Sequence, residues 1–387
     1  MRVGDLLALI PDSLLEKIGK DVNVDRSYQK LTGIKMFKVL LYSLAETTRI
    51  SLRTIECVYN HLFKNDFLGR TIKEKTRHSS LADRLSKINP DYFKSIFEFL
   101  SNKYQENLTS KKYSNIYRFD STLISLSAKL LQKMGLNCGG HSNLKSFKVT
   151  IGQKGILPAS IRFCTKKPEA CEEVALKKAI LESNIKSSDI AVFDRGLNAG
   201  KGLKELYEAK ISFVTRIRVN RKNKVLENFS VKSTLASTVI ILSDQKVQLF
   251  NRDIRNFFQT PFRLIKSRSI KTDEEIWFLT NIFTMEAYEI TDIYKRRWEI
   301  EVFFKFIKQE LNLKHFLVRN FNGMKVYFYM ILIFAILLLV YKTSNKIAGY
   351  KFVKIRFFYE LEYWITGDII EKYGGDKNRY LVDRGLA

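Results

Sequence analysis

Residues 291–313 (TDIYKRRWEIEVFFKFIKQELNL) combine polar side chains with a spacing that suits chemistry. The pattern predicts one long helix, and at ~100° per residue four of its polar residues share an arc of roughly 60°. These four are Tyr294, Arg297, Glu301 and Lys308. An apolar stripe borders them and consists of Ile293, Ile300, Phe303, Phe304, Ile307 and Leu311. Ordinary amphipathic helices keep their charges opposite the core, so a glutamate at its edge between two cations suits a metal ligand whose neighbours hold phosphate.

Two further acids occur where the pattern predicts strands. Asp120 lies within a β-rich run, and Asp194 ends the continuous apolar run IAVF, which is typical of a strand buried on both faces. Open α/β sheets place their sites at the carboxyl ends of such strands. Asp120, Asp194 and Glu301 are therefore candidate catalytic residues and ligands of two Mg²⁺ ions, which prefer oxygen ligands and can promote phosphoryl transfer.

Each acid also has an ordinary structural interpretation. An aspartate near a strand end is commonly a turn or cap residue. Glu301 and Lys305 have the i,i+4 spacing of a solvent-exposed ion pair. The combination of the three acids, and not any one of them, favours a site.

The elements around these residues predict an α/β fold, a mixed sheet flanked by helices. A hairpin is expected around Gln153-Lys154-Gly155, between two β-prone runs. The predicted domains are a helical N-terminal domain, a first part of the core that carries the candidate residues, a β-rich insertion, a second part of the core with the glutamate helix, and a helical tail. Their ranges are 1–108, 109–219, 220–275, 276–345 and 346–387.

Composition narrows the class of protein. The 387 residues are 45% hydrophobic with only 5 prolines, as in a folded globular chain. The formal net charge of +26 predicts a polyanionic partner such as nucleic acid, although a generally basic proteome that uses lysine as a solubiliser is the alternative. In the N-terminal domain the basic residues that could grip a duplex are Arg49, Arg53, Lys73, Lys75, Arg77 and Arg84. A plain helical cap on the next domain would look the same.

Cysteine usage and hydropathy bear on the compartment. The 4 cysteines form no C-x-x-C pair and no zinc pattern, so we expect a reducing, cytoplasmic environment. Residues 326–341 are continuously apolar but shorter than the ~20 residues that cross a bilayer. We expect a buried central helix and no membrane, with a membrane span as the alternative.

The polar residues of the predicted helix match a known signature. Tyr294, Arg297, Glu301 and Lys308 fit Y-x-x-R-x-x-x-E-x-x-x-x-x-x-K at every defined position. The chain thereby resembles the DDE transposases of bacterial insertion-sequence family four. The motifs FDST, FDRG, LTN and RHSSLADRL fit as well, and they begin at Phe119, Phe193, Leu279 and Arg77. The resemblance covers about residues 20 to 345.

That resemblance implies a ribonuclease H-like core in which Asp120, Asp194 and Glu301 bind two Mg²⁺ ions, with Mn²⁺ able to substitute. Tyr294, Arg297 and Lys308 would hold DNA phosphate near the cut end. The implied activity is cut-and-paste transposition through 3′-end cleavage, hairpin formation and strand transfer.

The partners implied are the inverted-repeat ends of the element and target DNA, bound by a dimer on paired ends near the bacterial nucleoid. A flipped base would stack on an insertion aromatic, for which Phe257 and Phe258 are candidates. Arg195, Arg216 and Arg218 are open between DNA contacts and ion pairs at the edge of the core. The alternative functions are a domesticated or inactive DNA-binding relative and a metal-dependent nuclease.

Overall fold

A computed structural model describes the chain except for several short stretches. The undescribed residues are 47–48, 62–64, 72–73, 109–113, 127–144, 166, 198–199, 232–237, 252–254, 314–315 and 387. The chain divides into two compact units, one of Met1–Leu108 with Lys305–Ala387 and one of Thr109–Phe304. The polar run at 109–114, at the predicted boundary between the first two domains, lies mostly outside the described residues.

The described strands belong to one sheet of nine. They are β1 (Ile116–Leu126), β2 (Lys145–Lys154), β3 (Leu157–Cys164), β4 (Ile190–Phe193), β5 (Ser212–Ile217), β6 (Asn223–Asn228), β7 (Val239–Asn251), β8 (Asn256–Ser269) and β9 (Glu275–Thr280). The helices are α1 (Val3–Ala8), α2 (Asp12–Asp21), α3 (Gly33–Glu46), α4 (Leu52–Asn60), α5 (Asn65–Leu68), α6 (His78–Lys87), α7 (Pro90–Leu108), α8 (Glu172–Leu181), α9 (Gly200–Glu208), α10 (Ala287–Lys295), α11 (Trp298–Gln309), α12 (Phe321–Ser344), α13 (Tyr350–Lys372) and α14 (Lys377–Asp383).

The sheet order is β3-β2-β1-β4-β5-β9-β8-β7-β6. Strands β1, β4 and β5 are mutually parallel, and the other neighbours are antiparallel. An antiparallel meander followed by two parallel strands is the arrangement of a ribonuclease H-like core, so the predicted fold class is confirmed. The predicted hairpin is β2–β3, which turns at Gly155, a glycine with φ of 58°. The predicted β-rich insertion forms β6 to β8, which extend the same sheet through β9.

The two faces of the sheet bury different sets of side chains. Phe119 and Phe193 lie on the face that packs against α8 and α9. Ile116 and Val192 lie on the opposite face, which α10 covers with Ile290 and its neighbours. Because side chains alternate along a strand, the even-numbered positions of β1 and β4 face α10.

The helix predicted over 291–313 is interrupted, which corrects the expectation of one continuous helix. α10 ends at Lys295 and α11 begins at Trp298. Between them the hydrogen bonds span three residues instead of four: Arg297 N–H donates to the Tyr294 carbonyl at 2.9 Å, and Glu299 N–H to that of Arg296 at 3.1 Å. Such tight turns are common where one α-helix ends and another begins.

The apolar run at 326–341 lies within α12, which belongs to the helical unit. By length and composition α12 is able to cross a membrane, but 94% of its most apolar stretch is buried inside the protein. A helix that is apolar all round has no face for water. In this unit α3, α6, α7 and α13 pack around it, as expected for a buried central helix. The segment after Phe304 thus groups with the N-terminal helices. The predicted domain boundary at residue 345 stays a prediction.

One of the basic residues expected to contact DNA is internal. Arg84 is 1% exposed and donates to the carbonyls of Leu31 and Val24 and to the Asp25 carboxylate. A buried charge requires partners, and the guanidinium of Arg84 finds its partners inside the helical unit. Arg49, Arg53, Lys75 and Arg77 are exposed, and Lys73 lies outside the described residues.

Candidate active site

Asp120 and Asp194 lie side by side on neighbouring strands. The parallel pairing of β1 with β4 sets Arg118 opposite Val192. Two residues further along each strand, the same register brings Asp120 level with Asp194, which directly follows β4. Both positions face α10, so the two carboxylates share one side of the sheet.

The Asp120 carboxyl is influenced by this arrangement. The pKa of Asp120 is raised to about 6, chiefly by burial. The charges of Asp194 and Glu301 also raise this pKa, whereas the Ser121 backbone N–H and the Arg297 guanidinium lower it. Repulsion among carboxylates that share a site favours the protonated form of one of them. The three predicted ligands are therefore close enough to affect one another electrostatically.

The turn after β4 orients Asp194. Its Oδ1 accepts a hydrogen bond from the Gly196 N–H at 2.8 Å, and its carbonyl accepts one from the Thr215 hydroxyl at 3.1 Å. A Cβ atom at Gly196 would lie 2.8 Å from Cγ of Glu172 and 3.0 Å from Asp194 Oδ1. A larger side chain there would crowd both groups, which accounts for the glycine of Asp-Arg-Gly without reference to function.

Glu301 lies in the first turn of α11 and is held by an arginine. Arg297 Nη2 donates to Glu301 Oε1 at 2.5 Å. The Arg297 guanidinium also lies 5.9 Å from the centre of the Tyr294 ring, which packs edge-on against Phe278. Burial would lower the pKa of Arg297, but Tyr294, Glu301 and Asp120 together raise it above its ordinary value. Glu301 thus pairs with Arg297 and not with Lys305.

The fourth signature residue, Lys308, follows Glu301 on α11. A separation of seven residues places the two on the same side of that helix. The division between the two compact units falls within α11, after Phe304. Lys308 therefore belongs to the helical unit and Glu301 to the unit that contains the sheet.

A metal ion would need carboxylate oxygens that are not already hydrogen-bonded. In the part of the chain that the structure describes, no three His, Cys or acidic side chains form a ready-made metal cluster. Asp120 Oδ1 accepts from the Ser121 N–H and Asp194 Oδ1 from the Gly196 N–H, whereas their Oδ2 atoms receive no hydrogen bond from the described residues. Two adjacent carboxylates with free oxygens and mutual repulsion suit a divalent cation. Glu301 would contribute a carboxylate whose Oε1 is bonded to Arg297.

Arg216 is a site residue that sequence reasoning left undecided. The parallel register of β4 and β5 pairs Phe193 with Thr215, so Arg216 is level with Asp194 on the next strand. Its charge acts on the Tyr294 hydroxyl. The Nε atoms of Arg216 and Arg297 are both buried and have no hydrogen-bond acceptor among the described residues. The sequence signal was only an arginine in a predicted strand, since no pattern reports which strands are neighbours.

The two aromatic candidates for base stacking differ in exposure. Phe258 is 9% exposed and belongs to the core on the α8–α9 face, so it is not available to a base. Phe257 is only partly buried and packs edge-on against Phe250, with ring centres 5.3 Å apart. Phe257 is the more accessible of the two.

The strand order and the level aspartates define the class of domain as a ribonuclease H-like core. Residues 167–338 match the family model described as Transposase DDE domain. This part of the chain is therefore similar to the transposase DDE domain, in agreement with the sequence resemblance. The match includes Asp194, Glu301 and Lys308 but begins after Asp120. The signature itself and the role of each site residue stay predictions.

Three relatives are named as transposases. A Sinorhizobium fredii protein named as the transposase y4zB is 29% identical over 164 residues, 42% of this chain and 46% of that protein. A Synechocystis sp. protein named as the transposase of insertion sequence element IS4SA is 27% identical over 235 residues, 60% and 62% of the two chains. A Geobacillus stearothermophilus protein named as the transposase of element IS5377 is 28% identical over 130 residues, 33% and 32%. Each match spans less than two thirds of the relative.

One solved structure is similar at the level of the whole chain. The piggyBac transposase in its synaptic complex with hairpin DNA aligns with a TM-score of 0.45 and 11% identity, over 91% of this chain and 74% of that one. The fold itself is defined by the strand order β3-β2-β1-β4-β5 and its parallel and antiparallel pairs.

Proposed function

We propose that this protein is the transposase of a bacterial insertion sequence, which cuts the ends of its element and joins them to target DNA. The observation that carries the proposal is the register that brings Asp120 level with Asp194 in a chain with a transposase DDE domain. Asp120, Asp194 and Glu301 are the proposed catalytic residues. The net charge of +26 suits DNA as the partner.

Proteins with this domain use divalent metal ions. Asp120 and Asp194 would hold them through the carboxylate oxygens that lack donors, and Glu301 would complete the set. Bound there, two Mg²⁺ ions, or Mn²⁺ in their place, supply an activated nucleophile and neutralise charge on the leaving oxygen. Deprotonated carboxylates are required, so the raised pKa of Asp120 means that protons compete with metal near pH 6.

The cations beside the carboxylates would hold the DNA strand. Arg297 and Arg216 each have a buried Nε without an acceptor, and a phosphate oxygen would satisfy it. When Arg297 binds phosphate it releases the Glu301 carboxylate for its role as a ligand. Tyr294 lies beside both arginines, and Lys308 extends the same side of α11.

The remaining parts of the proposal concern the whole reaction. A dimer would act on paired inverted-repeat ends, through a hairpin intermediate that is then reopened for strand transfer. The exposed basic residues of the helical unit would contribute DNA contacts. The site of action would be the bacterial nucleoid, in the cytoplasm.

The test uses the DNA that flanks the reading frame. The purified chain is incubated with Mg²⁺ and a duplex that carries the flanking inverted repeats. We expect cleavage at the repeat ends and their joining to a target plasmid. Asp120→Asn, Asp194→Asn and Glu301→Gln should each reduce both steps by at least about a thousandfold, because the cations that these carboxylates would hold provide much of the charge stabilisation.

Asp189→Asn is the matched control. Asp189 directly precedes β4, at the opposite end of the strand that Asp194 follows, and pairs with Lys154 at 2.8 Å. This variant should lose stability and keep activity per folded molecule. Full strand transfer by any of the three site variants would refute the assignment. Cleavage without end joining would instead show a nuclease.

A further inference from the structure

Arg118 is a buried arginine two residues before Asp120 on β1. Its side chain is 1% exposed, and it faces α10, as Asp120 does. Burial lowers the pKa of Arg118, and the charge of Glu299 acts against that effect. A buried guanidinium requires good acceptors for its donors, so its partners indicate what it does.

The guanidinium of Arg118 connects three separate parts of the unit that contains the sheet. Nη1 donates to the Gly155 carbonyl in the β2–β3 turn at 2.7 Å. Nε donates to the Arg296 carbonyl at 2.8 Å, and Nη2 pairs with Glu299 Oε2 at 2.6 Å. Arg296 completes the set by pairing with the other oxygen of Glu299 at 3.1 Å.

The Arg296 carbonyl is the point at which the helix is interrupted. In a continuous α-helix this carbonyl would accept from the Ile300 N–H. Here it accepts from Arg118 and from the Glu299 N–H, while the Ile300 N–H bonds to the Arg297 carbonyl at 3.2 Å. Arg118 therefore stabilises the turn between α10 and α11, and its bond to Glu299 holds the first turn of α11.

Glu301 follows Glu299 by two residues in the same first turn. The direction in which Glu301 points depends on where α11 begins and at what angle. The residue that stabilises this start comes from β1, the strand that carries Asp120. Arg118 thus links β1, which carries Asp120, to the start of α11, which carries Glu301.

We infer that Arg118 is a positioning residue, which through Arg296 and Glu299 sets the start of α11 so that Glu301 can join Asp120 and Asp194 around a divalent cation. This inference rests on the proposed function. The planar fork of an arginine suits three acceptors in fixed directions, whereas a lysine provides a single ammonium group that cannot reach all of them.

The experiment measures Mn²⁺ affinity of the purified full chain by calorimetric titration, together with thermal unfolding of the metal-free protein. Arg118→Lys should weaken Mn²⁺ binding by about ten- to a hundredfold, as for other residues that orient metal ligands. Glu299→Gln, at a side chain 41% exposed, should fold readily and weaken binding in the same direction. The control is Asp189→Asn, which removes the ion pair of a side chain about as buried as Arg118 and should leave Mn²⁺ affinity within about twofold.

A second comparison separates positioning from general stability. In a Glu301→Gln background, Arg118→Lys should produce no additional loss of Mn²⁺ affinity, because its effect acts through Glu301. Equal losses in both backgrounds, or an unchanged affinity in Arg118→Lys, would overturn the inference. If Asp120→Asn and Asp194→Asn also leave Mn²⁺ affinity unchanged, the proposed function fails too. If those two weaken binding and Arg118→Lys does not, only the role of Arg118 is refuted.

Discussion

Several side chains in the site have a charge or a hydrogen-bond donor that the described residues do not fully satisfy. Asp120 has a pKa of about 6 because it is buried beside other carboxylates. Arg216 and Arg297 have buried Nε donors without acceptors among the described residues. Buried donors without partners cost free energy, so such groups together suggest a ligand that supplies oxygen atoms to the arginines and positive charge to the carboxylates.

Arg216→Ala tests this idea at a single residue. If the guanidinium binds a phosphate, its removal should weaken binding of the cut strand by about 10–100-fold, the value of a charge-assisted hydrogen bond. Stability should hardly change, because the Nε has no described bond to lose. Strand binding and thermal unfolding would be measured in parallel. The control is Arg268→Ala, an exposed arginine on β8 that pairs with Asp273; an equal effect of the two substitutions would contradict a specific role for Arg216.

At the scale of elements, helical spacing was a better guide to side chains than to boundaries. The i,i+4 spacing of Arg297 and Glu301 was visible in the sequence, and the two side chains are bonded. The interruption at 296–297 was not visible, because Arg118, a residue 178 positions away in the chain, takes part of the hydrogen-bonding capacity of Arg296. No property of the local sequence reports a tertiary contact of that kind.

Lys354 on α13 permits a test of burial within the helical unit. Burial lowers the pKa of Lys354 to about 8, although its ammonium group donates to the Glu310 carbonyl at 3.3 Å. The ordinary pKa is 10.5, so between these values the unfolded chain binds more protons and stability rises with pH. Below pH 8 the folded protein carries the cost of a buried charge.

Lys354→Met should therefore be more stable than the parent protein at pH 7, by about 1–3 kcal/mol. The advantage should shrink as the pH rises from 8 towards 10.5. Denaturant unfolding at several pH values measures both effects. Lys351→Met, at an exposed position of α13, should change stability little at any pH. A difference between Lys354→Met and the parent that is constant across the range would show that burial of charge is not its cause.

On the scale of the whole molecule, charge and hydropathy have separate consequences. The net charge of +26 concerns the surface of the protein, where it suits the DNA partner that we propose. The apolar helix α12 concerns the interior. Its composition alone would also suit a lipid environment, but neighbouring helices of its unit surround it. Hydropathy cannot distinguish these environments, since both are free of water.

The charge predicts how the protein binds nonspecific duplex DNA. A protein that makes about six to ten phosphate contacts loses roughly a thousandfold or more in affinity between about 50 and 200 mM salt, because counterions are released on binding. We expect a loss of that size in fluorescence anisotropy titrations. Sucrose at matched osmolality should have no comparable effect. A loss of less than about tenfold would contradict extensive contact with the DNA backbone.

The sequence by itself determined the local features of this protein. The buried strand that ends at Asp194, the spacing of Arg297 and Glu301, and the basic surface all follow from neighbouring residues or from composition. The tertiary structure decided which strand pairs with β4, and so that Asp120 and Arg216 flank Asp194. It also decided where α10 ends, through Arg118. The physical reason is that helical periodicity is repeated along the chain, whereas strand register and buried ion pairs join residues whose separation leaves no periodic signal.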